Sequence, residues 1–320
     1  FVGIHLARGG RLYETIWEVK PPVPFELSWL LATVAPDTYA YHALALGANV
    51  AAVTVGAVAA AGIVREVTGD SLGGVVAALA PFVLPRYWWR ATIGLKAKYL
   101  VAAFVLVALY YHVTDREVGS GVASALAVGS TRRYLAAILV TAGLVSLPVF
   151  WWGTVPEMVV ETVLVPLLGT EDGGAGSSVE RVVDGLGIAL PVVLVGCYGL
   201  LAALRRDAGT RRQVAPVVAV AAWFLLALLF VDYDTKNDLI PFLAVVGVGV
   251  GCVVGRSSRA LREATDGVSV RASAGRAVAV VVCGMALVSV LTFGGYGTGS
   301  TGLTDAAVYD TTEAVEMEMP

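Results

Sequence analysis

Apolar runs of spanning length alternate with short polar loops along almost the whole chain. A helix that crosses a bilayer needs about 20 mainly apolar residues. Eight stretches approach that length: 40–64, 71–85, 95–112, 134–152, 183–204, 213–231, 239–255 and 276–294. The second is short and stops at Pro85. The stretch 118–130 is apolar but rich in Gly and Ser and only 13 residues long, which suits an interfacial or re-entrant segment better than a span. The pattern predicts an all-α, polytopic transmembrane bundle with three parts. Residues 1–39 form a loop carrying an interfacial helix, 40–294 the bundle, and 295–320 a Gly/Thr-rich, then acidic, tail without order.

Composition agrees. Of 320 residues, 57% are hydrophobic and 15% charged, against about 25% charged in soluble domains. A net charge of −3 suggests no nucleic-acid partner. Cys197, Cys252 and Cys283 each sit inside an apolar run, without disulfide or metal-ligand spacing, and read as small buried hydrophobes. The chain opens at Phe1 in mid-loop, so a further segment is expected upstream.

Charge then orients the spans. Short cytoplasmic loops collect Lys and Arg. Arg132 and Arg133, the group Arg205, Arg206, Arg211 and Arg212, and the group Arg256, Arg259, Arg262, Arg271 and Arg276 fall on alternate loops and are placed inside. The loops 1–39, 86–94, 153–182 and 232–238 and the tail are then extracytoplasmic, and they hold most of the acids. Arg86 and Arg90 are the exceptions on that face.

The densest polar and aromatic content lies in the first loop, Gly9-Gly10-Arg11-Leu12-Tyr13-Glu14-Thr15-Ile16-Trp17-Glu18-Val19-Lys20-Pro21-Pro22. Residues 1–12 predict a short interfacial helix that Gly9-Gly10 ends. Tyr13 and Trp17 are amphipathic aromatics suited to headgroup depth. The proline pair pushes Lys20 out of the helical region and stiffens the entry to a helix from about Phe25. A cation held this way at the lipid boundary suits a phosphate headgroup. The plainer alternative is that Lys20 and Arg11 snorkel to lipid phosphates while Tyr13 and Trp17 anchor the loop.

Three later segments are weaker candidates. Pro85-Arg86-Tyr87-Trp88-Trp89-Arg90, followed by Lys96 and Lys98, could bind an anion or a sugar, or serve as an interfacial belt. Val155 to Leu168 predicts an amphipathic helix with Glu157 and Glu161 on one face. Asp232-Tyr233-Asp234-Thr235-Lys236-Asn237-Asp238 is either a solvated turn or a charged loop that returns Asp234 or Lys236 toward a cavity. It lacks the alternating acids of a calcium loop, and no metal is expected from it. His5, His42 and His112 are scattered and carry no assigned role.

The run Leu6-Ala7-Arg8-Gly9-Gly10-Arg11-Leu12-Tyr13, with Trp17-Glu18 and Lys20-Pro21-Pro22, resembles the first extracytoplasmic loop of GT-C class membrane glycosyltransferases. Within that class it is similar to the protein O-mannosyltransferase and aminoarabinose transferase family. The resemblance covers about 25 residues well. It implies transfer of a sugar (a hexose, mannose among the candidates) from a polyprenyl- or dolichyl-phosphate donor to a glycan, lipid or protein acceptor on the outer face. A first-loop carboxylate then acts as base or orients the acceptor, and cations stabilise the departing phosphate. Lys20 matches the family's phosphate-side lysine. Arg11 would assist it, and Tyr13, Trp17, Arg90, Asp234 and Lys236 would line the substrates. The resemblance also implies a multi-pass protein of the cell membrane, in contact with lipid and needing no cofactor, with divalent-cation dependence open.

Two departures stand out. The family's first-loop acid would fall before Phe1, leaving Glu14 and Glu18 as poorly matched substitutes. Around 92–98, where relatives often carry an acid, this chain has Lys96 and Lys98. The rival readings are a non-catalytic polytopic subunit, favoured by the missing acid, and a transporter or flippase, disfavoured by span interiors almost free of charge.

Overall fold

The computed structural model describes residues 2–15, 22–89, 91, 95–116, 119–120, 122–123, 147–160, 182–230, 239–263 and 270–300. They are mostly helical, with no strands among the described residues. The helices are α1 Val2–Ala7, α2 Val23–Val34, α3 Thr38–Thr68, α4 Ser71–Leu79, α5 Pro85–Trp89 and α6 Ala97–Val113. They continue with α7 Leu147–Trp152, α8 Val155–Val159, α9 Leu190–Leu204, α10 Ala208–Phe230, α11 Leu239–Glu263 and α12 Val270–Ser300.

Five segments are long and apolar enough to cross a membrane: Thr38–Thr68, Val182–Leu204, Ala208–Leu229, Leu239–Ala260 and Ser273–Leu291. Val23–Val34, Ser71–Val83 and Ala97–Val113 are shorter apolar helices. The chain is thus an all-α, multi-pass membrane protein. Six of the eight predicted stretches appear as helices near the predicted bounds. The run 71–85 is not one helix: α4 tightens into a 3₁₀ turn at Ala80–Val83, where Pro81 removes a backbone donor, and Pro85 then starts α5. Of 134–152, only α7 lies within the described residues.

The helices overrun their predicted ends where charge begins. Arg211 and Arg212 ride on α10, and Arg256, Arg259 and Arg262 on the last turns of α11. Arg271 and Arg276 open α12, so these arginines lie within helices, while Arg205 and Arg206 stay in the turn after α9 and Arg132 and Arg133 lie outside the described residues. α12 runs to Ser300, six residues past the predicted boundary. The tail from 301 lies outside the described residues.

α11 is the hub of the bundle. Of its apolar stretch, 89% is buried inside the protein, against 22% for α10 and 28% for α12. Glycine makes this possible. A Cβ on Gly199 would stand 2.0 Å from the carbonyl oxygen of Gly249, and one on Gly249 equally close to that of Gly196. Gly73 and Gly251 likewise bring α4 against the opposite side of α11. In lipid, helices associate through this close backbone approach.

Turn chemistry fixes the other end of the hub. Gly69, in the left-handed region at φ 69°, ends α3. Asp70 caps α4, accepting from the Gly73 N–H at 2.8 Å, and its other oxygen accepts from the Ser258 hydroxyl of α11 at 3.1 Å. Cys252 is buried on α11, and Cys197 and Cys283 are half-buried; none of the three is in a disulfide.

Candidate functional site

The first loop folds on a second, smaller core. Leu6, Leu12 and Tyr13 cluster there with Phe25 of α2 and Val149 of α7, flanked by Trp29, Trp152, Val155 and Met158. α1 is shorter than predicted and ends at Ala7, with Gly9 at φ 98°. Gly10 is required for space, since a Cβ there would stand 2.2 Å from the His5 ring. Gly3 lets α1 lie on α2, because a Cβ there would stand 2.3 Å from the Ser28 carbonyl oxygen. The Ser28 hydroxyl in turn hydrogen-bonds the Tyr41 hydroxyl, which ties this unit to α3.

After Gly10 the chain makes one tight turn. The Thr15 N–H and hydroxyl both donate to the Arg11 carbonyl, at 3.0 and 2.9 Å. The Arg11 N–H donates back to Thr15 Oγ1 at 2.9 Å, and His5 Nε2 lies 3.1 Å from the same oxygen. His5 thereby gains a structural role that the sequence did not suggest.

Tyr13 sits in this turn at φ 68° and is buried rather than lying exposed at headgroup depth. Arg11 and Glu14 form an ion pair at 3.2 Å, each about half exposed. Such pairs are worth about 0–1 kcal/mol, so an incoming phosphate could compete for the guanidinium. Glu14 is therefore engaged by a cation, and Arg11 is presented at the surface beside it. Trp17, Glu18 and Lys20 lie outside the described residues, as do Arg90, Asp234 and Lys236.

α2 resumes with Pro22 as its N-cap and Pro24 in the first turn, close to the start expected from the proline pair. Glu26 follows, one helical turn on, donating its N–H to the Pro22 carbonyl at 2.9 Å. Its Oε1 is buried and has no hydrogen-bond partner among the described residues. Burial raises its carboxyl from 4.5 to about 7. The helix N-terminus favours the ionised form by only about 0.3–1 kcal/mol, and here desolvation wins. Sequence reading passed over Glu26 because nothing in Val23-Pro24-Phe25-Glu26-Leu27 distinguishes a half-buried carboxylate from a solvated one.

A second segment, between α5 and α6, is held from inside the bundle. Asn49, fully buried on α3, donates from Nδ2 to the Ala91 carbonyl at 3.0 Å and accepts the Lys96 N–H on Oδ1 at 3.0 Å. The Tyr99 hydroxyl donates to the Tyr87 carbonyl, and the two rings meet edge to face at 5.7 Å. Three main-chain groups between Tyr87 and Lys96 are thus fixed by α3 and α6. Beyond them, α8 is one short turn of helix at Val155–Val159, with Glu157 exposed; the remainder of the predicted amphipathic helix lies outside the described residues. Among the described residues, no group of three His, Cys, Asp or Glu side chains is placed to hold a metal ion.

Comparison with known proteins bears on the same region. The family model described as DolP-mannose mannosyltransferase matches residues 9–148, from the first loop to the start of α7. A dolichol phosphate-mannose mannosyltransferase of Haloferax volcanii is 25% identical over 237 residues, covering 66% of this chain and 51% of that protein. The chain therefore spans about half the length of that relative. No solved structure matches it. Both matches are to dolichyl-phosphate-mannose mannosyltransferases, and the matched region contains the Lys20-Pro21-Pro22 loop.

Proposed function

We propose that this protein is an integral membrane glycosyltransferase that moves mannose from a dolichyl-phosphate donor to an acceptor on the outer face of the membrane. The family match over residues 9–148 carries this reading, because it contains the first loop. In the proposed mechanism the acceptor hydroxyl displaces the lipid phosphate from the sugar in one step. Lys20 holds the departing phosphate, and Arg11 leaves Glu14 to assist it. Charge stabilisation of this kind acts most strongly where charge develops in the transition state.

In this reading the chain crosses the membrane eight times, with the first loop, the segment after Trp152 and the acidic tail outside. The packing of Tyr13 and Phe25 with Val149 supports placing the first loop and the end of the fourth span on one face. The decisive test supplies the full-length protein with radiolabelled dolichyl-phosphate-mannose and a membrane extract from cells that lack this protein. Transfer is expected, and Lys20→Ala should lower kcat/KM by about 100-fold, of the order seen when one oxyanion-stabilising donor is removed. No transfer by the wild-type protein removes the reading; full transfer by Lys20→Ala removes Lys20 from it.

A further inference from the structure

We propose that Arg206 and Arg256 form a phosphate-binding site at the end of the bundle opposite the first loop, filled by the headgroup of an anionic phospholipid or by free phosphate. The site is separate from the transfer reaction and does not depend on it. α3 sets the distance between the two ends. Tyr41, in its first turn, bonds Ser28 of α2. Thr68, in its last turn, meets α11 at Gly255, where a Cβ would stand 2.6 Å from the Thr68 hydroxyl oxygen. At 1.5 Å per residue, Tyr41 and Thr68 are about 40 Å apart along the helix. Arg256 is the residue after Gly255, so it belongs to the far end. From Leu239 to Arg256 the helix covers about 26 Å, close to the ~30 Å of a hydrocarbon layer. The guanidinium therefore reaches headgroup depth.

Close helix packing brings the two cations together. Gly199 and Gly249 let α9 lie on α11, and this carries the turn after α9 alongside the end of α11. Arg206 of that turn is close enough to act on the Arg256 charge, as are Tyr198 of α9 and Cys252 of α11. Nη2 of Arg256 is buried and has no hydrogen-bond partner among the described residues. Neither arginine is ion-paired among them. The described acids at this end are engaged or exposed. Asp70 accepts from the Gly73 N–H and the Ser258 hydroxyl. Asp207 accepts the N–H and the hydroxyl of Thr210, each at 2.9 Å. Glu66 and Asp115 are exposed.

Two cations held near each other repel, and a buried donor without an acceptor is costly. Leucine at position 256 would avoid both costs. An anion from outside the chain removes both at once. The planar guanidinium matches phosphate oxygens with two parallel N–H donors, and a second cation adds to the charge that holds them. Arg206 is exposed, so it meets such a group from the solvent or headgroup side while Arg256 meets it from within the bundle. Arg205, Arg211 and Arg212, also exposed, make the surroundings attractive to anions without supplying a buried donor.

The test follows the melting temperature of the full-length protein in a neutral detergent as phosphatidylglycerol, phosphatidylcholine or inorganic phosphate is added. Phosphatidylglycerol should raise it by about 3 °C or more at saturation, and zwitterionic phosphatidylcholine by under about 1 °C. A rise with phosphatidylglycerol alone assigns the site to a lipid headgroup; an equal rise with inorganic phosphate assigns it to free phosphate. Arg206→Gln and Arg256→Gln should each raise the midpoint concentration about tenfold or more, while Arg211→Gln on α10 should leave it within about twofold. Should Arg256→Gln fail to fold, the exposed Arg206→Gln decides alone. The site is overturned if nothing stabilises the wild-type protein, or if the two lipids do so equally. It is also overturned by a wild-type midpoint in either variant of the pair, or by an equal loss in Arg211→Gln, which would mark a diffuse basic surface.

Discussion

Trp29 of α2 and Trp152 at the end of α7 meet edge to face, with ring centroids 6.2 Å apart and planes at 84°. They are 123 residues apart in the chain, yet they close the small core that holds the first loop. Aromatic pairs in this geometry contribute about 0.5–1.5 kcal/mol beyond their buried area. Trp29→Leu and Trp152→Leu should each lower the melting temperature, and a double-mutant cycle should return a coupling of about 1 kcal/mol. Strict additivity would show that the rings do not hold the two segments together.

Glu26 makes an unusual pH dependence. Its folded pKa, about 7, lies above the ordinary 4.5, so the folded state binds the proton more tightly than the unfolded state. Its contribution is fully present below the unfolded value and is lost as pH rises through about 7. The melting temperature of the wild-type protein should therefore fall between about pH 5 and 8 relative to Glu26→Gln, which stays neutral. Parallel curves for the two proteins would mean that the carboxyl is solvated in the folded state.

Asn49 tests the segment between α5 and α6. Asn49→Leu strands the Ala91 carbonyl and the Lys96 N–H without their partner and should cost about 1–3 kcal/mol. Asn49→Asp keeps the acceptor for Lys96 and loses the donor to Ala91, so the asymmetry of the pair can be read directly. Hydrogen exchange should quicken at Lys96 in the leucine variant. An unchanged rate there would place the Lys96 amide under some other protection.

The hub admits no side chain at its closest contacts. Gly199→Ala or Gly249→Ala places a methyl 2.0 Å from a facing carbonyl oxygen. α9 must then move off α11, at about 1–3 kcal/mol. Gly284→Ala, where a Cβ meets nothing within 4 Å, should be silent in the same thermal assay. Equal effects at the three sites would refute the close approach of α9 to α11.

The helix ends around the first loop were legible for local reasons. Gly9-Gly10 must end a helix whatever surrounds it, and Pro21-Pro22 must start the next one close to where α2 begins. Pro81 and Pro85 break the second apolar stretch, although its hydropathy alone reads as a span. Glu26 was not legible, because a carboxyl's burial is set by what packs over it. Tyr13 looked like a lipid anchor for the same reason: an amphipathic ring suits a headgroup layer or a protein core equally well.

The order and approximate lengths of most apolar runs were determined by sequence alone, since the cost of unpaired backbone in lipid forces each long apolar run into a helix. Which helix would be the hub was not. Lipid tails are as apolar as leucine, so hydropathy cannot separate a face turned to lipid from one turned to protein. Only the tertiary structure, by bringing glycine backbones into contact, decided that α11 lies inside the bundle and that Glu26 keeps an oxygen out of water.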